Sequence, residues 1–262
     1  MDSRTPSPVK EKIRRPSKKM KYKSISDLKD KYKGEDIWVI MAGASMDYVE
    51  PSFFDGKVTI GLNQVYKRYR CNYVVMKDCE EGPRYPRSIK ELQKDGIPLI
   101  FSKGYKGQSA HGNQPNHKDA YRFNHNKKNK NPYEDQLNNL EPDEIFVSKS
   151  TVSSALHIAA YLGAKNIMIC GHDCGEIDGK RYFEDYMEKD WNSSDNWGAI
   201  KNGQWLPKIE PITIIVREWL KEKYGCNIYS LNPFINFGLE GHEYNGLEDL
   251  KKKEKNKKDG KK

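Results

Sequence analysis

The chain has 262 residues and a formal net charge of +9, which is enough length for one large domain or two small ones. The charge lies at the ends, because residues 1–24 carry a net +7 and residues 248–262 a net +4, which leaves −2 for residues 25–247. A nearly neutral centre argues against a nucleic-acid-binding core. We expect a disordered tail at each end, which either binds anionic surfaces or only keeps the chain in solution, and one folded domain over residues 25–247.

The sequence shows no sign of a membrane or secreted protein. No apolar run is long enough to span a bilayer, and no apolar signal-peptide core follows Met1. The five cysteines lack the spacing of a disulfide framework, which suits a reducing compartment. These observations predict a soluble, cytoplasmic protein with no transmembrane segment.

Short apolar runs alternate with helical patterns along the central region. The runs predict strands at residues 36–41, 58–63, 73–76, 97–101, 144–147, 167–170 and 226–231. Apolar residues at helical spacing predict helices at residues 88–94, 150–162 and 209–224. Strands that alternate with helices predict an α/β fold, with a Rossmann-like, mostly parallel sheet and helices on both faces. Two polar segments, residues 103–136 and 182–207, break this rhythm and are expected to be lid-like insertions.

The start of the middle helix is rich in hydroxyl groups. Ser150, Thr151, Ser153 and Ser154 lie within five residues, although a helix needs only one N-cap. The cluster therefore predicts either ordinary capping or a helix N-terminus that binds a phosphate or carboxylate. Asp173 follows the buried strand after this helix, where it can bind a hydroxyl or a metal, or can cap its own loop.

Polar residues also follow the first three predicted strands. The turn Gly43-Ala44-Ser45 can offer backbone N–H groups to a phosphate. Asn63 and Asp78 end the next two strands, and each of these residues also has an ordinary explanation in turn formation. The chain contains neither a G-x-G-x-x-G nor a G-x-x-x-x-G-K-[ST] motif, so the turn alone does not identify a nucleotide site.

Other residues that can carry chemistry are weaker candidates. Cys170, His172 and Cys174 invite a zinc interpretation, but no second ligand pair has suitable spacing, and we predict no metal site. The first insertion contains three histidines: His111, His117 and His125. Either all three are solvated loop residues, or one of them acts as a catalytic base in a closed lid. The second insertion contains three tryptophans: Trp191, Trp197 and Trp205. Either they stack against a sugar or a nucleotide base, or they anchor the loop to the core.

Residues 151–182 contain the motifs TVSSA at the helix start, YLG at its end, GHD after the buried strand, and DGKRY. This segment resembles the 6-hydroxymethylpterin diphosphokinase-like domain, which also occurs in motility accessory factor glycosyltransferases. It is more distantly similar to bacterial sialyltransferases that use a CMP-activated sugar. The likeness extends loosely over about residues 34–240. The first loop keeps only Gly43 and Ser45 of the family's G-x-G-P-S turn, and residues 204–208 lack the histidine of the sialyltransferases.

The resemblance implies a glycosyltransferase-like enzyme with a nucleotide-activated sugar donor, for which CMP is the favoured nucleotide, and an unknown acceptor. Asp173 would then position the acceptor or act as the base. The other site residues it implies are Gly43, Ala44, Ser45, Asn63, Asp78, Ser150, Thr151, Val152, Ser153, Gly171 and His172. One alternative is pyrophosphoryl transfer from ATP to a pterin alcohol, with Mg²⁺ near Asp78 or Asp173. Another is a non-catalytic nucleotide-binding module. No cofactor is assigned, since Mg²⁺ belongs to the first alternative only.

Overall fold

The computed structural model describes residues 22–77, 84–103, 115–126, 131–174, 177, 179–184, 186 and 206–231. Several candidate site residues from the sequence analysis lie outside these ranges: Asp78, His111, Trp191, Trp197 and Trp205. The carboxyl-terminal tail and residues 1–21 of the amino-terminal tail lie outside them as well.

Nine strands of the described chain form one sheet in which every pairing is parallel. The strands are β1 Lys23–Ser24, β2 Asp36–Ile40, β3 Val58–Leu62, β4 Tyr73–Met76, β5 Leu99–Ser102, β6 Ala120–His125, β7 Glu144–Ile145, β8 Asn166–Cys170 and β9 Asn227–Ser230. Their order across the sheet is β1-β6-β5-β4-β3-β2-β8-β9, and β7 pairs with β6. The predicted α/β class with a mostly parallel sheet is confirmed.

Four α-helices connect these strands in the described chain: α1 Arg84–Lys94, α2 Tyr133–Asn138, α3 Thr151–Tyr161 and α4 Leu206–Tyr224. None of these described helices combines the length and the apolar character needed to cross a bilayer. Short 3₁₀ helices follow several strands, and Ala44–Tyr48 after β2 is the one that matters for the site.

The alternation of side chains in the central strands produces two cores, one on each face of the sheet. In β2, Ile37 and Val39 pack with α3 and α4, whereas Trp38 and Ile40 pack in the opposite core with α1. Because both faces are covered, the central strands are apolar throughout, as a buried parallel sheet requires.

Two segments differ from the sequence prediction. Lys23 and Ser24, which were assigned to the disordered tail, form β1 beside β6, and Ser24 caps the 3₁₀ helix that follows. The expected insertion over residues 103–136 contributes β6 and α2 to the fold. In β6 the buried side chains Tyr121 and Phe123 alternate with the exposed Arg122 and Asn124. This strand is half polar, so its composition resembles that of a loop.

Candidate functional site

The strand order reverses between β2 and β8. From β2 the chain builds the sheet outward through β3, β4, β5 and β6, and then returns through α3 to place β8 on the other side of β2. Ligands of open parallel sheets bind beyond the carboxyl ends of the strands at such a reversal. The candidate site is therefore the carboxyl edge of the sheet around the ends of β2 and β8, where the turn at Gly43–Ser45 meets Gly171 and Asp173.

Two glycines let the ends of β2 and β8 touch. The Gly43 N–H donates to the Gly171 carbonyl at 2.9 Å, and a Cβ on Gly43 would lie 2.5 Å from Asp173 Cγ. Gly171 has a φ of +72°, and a Cβ there would lie 2.6 Å from the Met41 carbonyl oxygen. Both positions therefore require glycine for backbone packing, which explains these residues without a bound phosphate.

The carboxylate of Asp173 is bound by Ser45. Oδ2 accepts the Ser45 backbone N–H at 2.8 Å, and Oδ1 accepts the Ser45 hydroxyl at 2.6 Å. Asp173 is 3% exposed, and burial raises the pKa of its carboxyl group, while the two hydrogen bonds from Ser45 oppose that rise. Asp173 thus caps the 3₁₀ helix Ala44–Tyr48 across the strand reversal. Its catalytic role stays a prediction, and this geometry favours a positioning role.

His172 is tied to α4. Its Nε2 lies 2.8 Å from Thr213 Oγ1, and the Thr213 hydroxyl donates to the Ile209 carbonyl at 3.2 Å. The imidazole is therefore the donor in the first of these hydrogen bonds. Burial lowers the pKa of His172 to about 4, so the ring is neutral at physiological pH. His172 thereby fixes the end of β8 to the first half of α4.

Most hydroxyls at the start of α3 have internal partners. Ser150 is the N-cap, and its Oγ accepts the Val152 N–H at 3.3 Å. Ser153 Oγ lies 2.6 Å from Ser148 Oγ, and Ser154 donates to the Phe146 carbonyl at 3.0 Å. The capping explanation therefore holds for Ser150, while Ser153 and Ser154 are hydrogen-bonded to the segment that precedes the helix. Val152 contributes a buried side chain to the core in addition to this N–H.

Thr151 differs from the neighbouring serines. It is partly exposed, and its hydroxyl makes no hydrogen bond to any residue that the structure describes. Close by, Lys77 Nζ donates to the Ser148 carbonyl at 3.2 Å, which brings a cation from the end of β4 to the start of α3. A helix N-terminus together with a lysine favours an anion. The sequence analysis missed Lys77, although its place directly after a buried strand is the signal that marks it.

Asn63 also lies at this edge, and its side-chain amide has no partner among the described residues. It directly follows β3, it is partly buried, and its backbone is left-handed with a φ of +53°. Its amide makes no hydrogen bond within the described part of the chain. Asn tolerates this backbone better than most residues do, so the turn explains the choice of Asn and leaves its amide available to a ligand.

A segment after β8, which we call the 180–184 strap, lies across the β2 turn. Tyr182 forms an antiparallel bridge with Gly43, and the Phe183 N–H donates to the Ala42 carbonyl at 3.1 Å. Asp47 Oδ1 accepts the Glu184 N–H at 2.8 Å and an Arg68 Nη1 hydrogen bond at 2.9 Å. The strap therefore forms one wall of the candidate site. Its polar sequence did not indicate this contact, because the Asp47 and Arg68 partners lie more than 100 residues earlier.

The two described histidines of the first insertion are not solvated loop residues. His117 is 1% exposed, and its Nδ1 accepts the Asp119 N–H at 3.1 Å, while burial lowers the pKa of the ring. His125 is the last residue of β6, and its Nε2 lies 2.6 Å from the Lys103 carbonyl oxygen. Both rings are thus fixed within the fold and do not belong to a closing lid.

No protein-family model matches the chain, and no curated protein matches it. One solved structure, a point mutant of the alpha-2,3/8-sialyltransferase CstII, is similar to 78% of this chain and 84% of its own, with 18% sequence identity and a TM-score of 0.43.

Proposed function

We propose that the protein is a glycosyltransferase-like enzyme that binds a nucleotide-activated sugar at the carboxyl edge of its sheet, with a CMP-linked sugar as the favoured donor. The observation that carries the proposal is the amide of Asn63. It is partly buried at the end of β3, beside the strand reversal, and has no hydrogen-bond partner among the described residues. An amide offers both a donor and an acceptor, which matches the edge of a pyrimidine or the hydroxyls of a ribose.

The phosphate would lie at the start of α3. The Thr151 hydroxyl, the helix N-terminus and the Lys77 ammonium group together provide donors and positive potential for an anion. Direct sugar transfer needs the donor and acceptor to be positioned and the leaving phosphate to be stabilised, with no covalent step on the protein. In this mechanism Asp173 holds the β2 turn in place through Ser45. The candidate for the carboxylate that activates the acceptor is then Asp78, which the sequence places after β4.

The non-catalytic nucleotide-binding module remains a second candidate, and one observation favours it. Both oxygens of Asp173 are bound by Ser45, and the residue is almost fully buried. A carboxylate in this state does not meet an acceptor hydroxyl unless the turn moves.

The test combines binding with turnover. Melting temperature would be measured with CMP, UDP, GDP and ATP, with and without Mg²⁺, because a ligand that binds only the folded state raises it. Release of free nucleotide from CMP-, UDP- and GDP-linked sugars would be followed by chromatography. We expect stabilisation by CMP and release of CMP from its activated sugar, and both should be lost in Asn63→Ala. The matched control is Asn124→Ala, since Asn124 is exposed on β6.

The outcomes separate the candidates. Binding of CMP without release supports the module, and a response to ATP that requires Mg²⁺ supports the pyrophosphokinase alternative. No response to any nucleotide, or equal effects of the Asn63 and Asn124 substitutions, would reject the proposed site.

A further inference from the structure

A cavity lies at the edge of the sheet opposite the candidate site. It has a volume of about 520 Å³ and lies between α3, α4 and the connection from α2 to β7. Tyr161 and Tyr224, the last residues of α3 and α4, line it. Each of these helices leads into a strand of the parallel sheet, so their carboxyl ends lie at the edge opposite the candidate site. The cavity is therefore separate from that site.

The hydrogen bonds of His157 determine the role of the Tyr224 hydroxyl group, which lines the cavity. His157 is 1% exposed, and its Nδ1 accepts the Phe146 N–H at 2.9 Å. A neutral imidazole with Nδ1 as acceptor carries its proton on Nε2, and Nε2 lies 2.7 Å from the Tyr224 hydroxyl oxygen. Burial lowers the pKa of His157 to about 3, which keeps the ring neutral. The Tyr224 oxygen is thus an acceptor here, and its own proton is available to a ligand.

The aromatic wall around this hydroxyl is fixed by contacts. Trp219 meets the His157 ring edge-to-face at 5.0 Å and the Tyr224 ring at 5.8 Å. The Tyr161 hydroxyl donates to Asp143 Oδ1 at 2.6 Å, which holds the third aromatic ring. Four of the residues that line the cavity are therefore aromatic rings held by these contacts: His157, Tyr161, Trp219 and Tyr224. Together they form an aromatic wall with the Tyr224 hydroxyl group on it. Small-molecule sites are commonly built in this way, with volumes of about 300 to 1,000 Å³.

The charges at the cavity indicate the class of ligand. Two lysines and three glutamates line it: Lys29, Lys223, Glu141, Glu144 and Glu222. This excess of acids disfavours phosphates and carboxylates, which the carboxyl edge is better arranged to bind. An uncharged ligand with several hydroxyls fits both signs, because its oxygens accept from Tyr224 and the lysines while its hydroxyl protons are donated to the glutamates.

We propose that this cavity binds an uncharged sugar ring, with its C–H face against the aromatic wall and a ring hydroxyl accepting the Tyr224 proton. The proposal goes beyond the function assigned to the carboxyl edge, and it does not depend on that edge being catalytic.

The probes for the test are the methyl β-glycosides of glucose, galactose and N-acetylglucosamine, studied with the full chain by saturation-transfer NMR. We expect transfer from the protein to the ring protons of at least one probe. Transfer should be lost in Trp219→Ala. Tyr224→Phe should weaken binding by about threefold to tenfold, the loss expected for one neutral hydrogen bond. Tyr48→Ala, which removes an aromatic side chain that is 41% exposed elsewhere, should retain full transfer.

The decisive negative results are equally specific. Absence of transfer to all three probes overturns the proposal, as does transfer that persists in a Trp219→Ala protein with an unchanged circular dichroism spectrum. If Trp219→Ala does not fold, Tyr224→Phe decides, since it preserves the ring and its packing, and unchanged binding in that variant overturns the proposal. Displacement of a bound glycoside by CMP would place the sugar at the carboxyl edge and would also overturn it.

Discussion

The two halves of the carboxyl edge use similar polar residues in different ways. At the reversal between β2 and β8, Ser45 and Asp173 satisfy each other and are buried. At the end of β3 and the start of α3, by contrast, the Asn63 amide and the Thr151 hydroxyl have no partner within the described residues, and Lys77 donates to the Ser148 carbonyl just before α3. The first half therefore supports the fold, and the second is available for a ligand. A polar residue at a strand end is a stronger candidate for ligand binding when the fold leaves part of its hydrogen-bonding capacity unused.

The strongest test of this comparison removes the close approach of the strand ends. Gly43→Ala places a Cβ 2.5 Å from Asp173 Cγ and from the Gly171 carbonyl oxygen. Because backbone and a buried side chain must both shift, we expect a loss of about 3 kcal/mol in the free energy of unfolding, at the upper end for overpacking. Urea denaturation measures this loss.

The matched control for this substitution is Gly56→Ala. Gly43 has a φ of −62°, which any residue can adopt, so only packing opposes a side chain there. Gly56 is the converse case, because its backbone is left-handed, with a φ of +74°, but nothing lies within 4 Å of a Cβ there. It should lose only about 1 kcal/mol from backbone strain. Equal losses in the two variants would contradict the packing explanation for Gly43.

Asp173→Asn tests the same half through its charge. Asparagine has one acceptor oxygen where Asp173 uses two, and a buried donor left without a partner costs about 1–3 kcal/mol. We therefore expect a loss of this size in the free energy of unfolding. Because the pKa of Asp173 is raised in the folded state, the folded protein holds this proton more tightly than the unfolded chain does. The stabilisation that comes from tighter proton binding is therefore fully present below about pH 4, the ordinary pKa of Asp. It is lost as the pH rises through the raised pKa.

The stability difference between the natural protein and Asp173→Asn should accordingly shrink as the pH rises from about 4 through the raised pKa of Asp173. Denaturation at several pH values measures it. A difference that grows over this range would mean that the charged carboxylate is favoured in the fold. If Asp173→Asn is as stable as the natural protein but no longer releases nucleotide from the activated sugar, the result would support the catalytic role predicted from the sequence.

The ligand-binding half is tested by two neighbouring hydroxyls. Thr151→Ala should weaken nucleotide binding by about tenfold, since a hydrogen bond to a phosphate is worth about 1.5–3 kcal/mol. Ser153→Ala removes a hydroxyl that bonds to Ser148, and it should leave the affinity within about twofold, because a neutral internal bond affects mainly stability. Calorimetry with CMP distinguishes the two. A larger effect of Ser153→Ala would show that the assignment of the two hydroxyls is reversed.

The sequence predicted the central sheet well, because β2, β3, β4 and β8 are short apolar runs that a doubly covered sheet requires. It missed β6, which alternates polar and apolar residues, and it also missed β1, whose pairing depends on residues almost 100 positions away. For the site, it predicted polar residues after the strands, and Asn63 does follow β3 and Asp173 does follow β8. It could not show that Asp173 would be bound by Ser45, since that contact depends on β2 and β8 becoming neighbours across 128 positions of sequence.

The smallest expected effect concerns the tails. A chain of residues 22–247 should unfold in one transition, with a melting temperature within about 2 °C of the full-length value, because the removed segments are highly charged and have little apolar surface to bury. Starting instead at residue 25 should lower the melting temperature measurably. That truncation removes β1, the Ser24 cap and the edge-to-face contact of Tyr22 with Phe101 at 4.8 Å, and a lost helix cap alone costs about 1 kcal/mol. Calorimetric scans of both truncated chains measure the difference. Equal melting temperatures would show that residues 22–24 add nothing to the stability of the domain. A large fall in the melting temperature of both truncated chains would show that the terminal segments contribute to the folded domain.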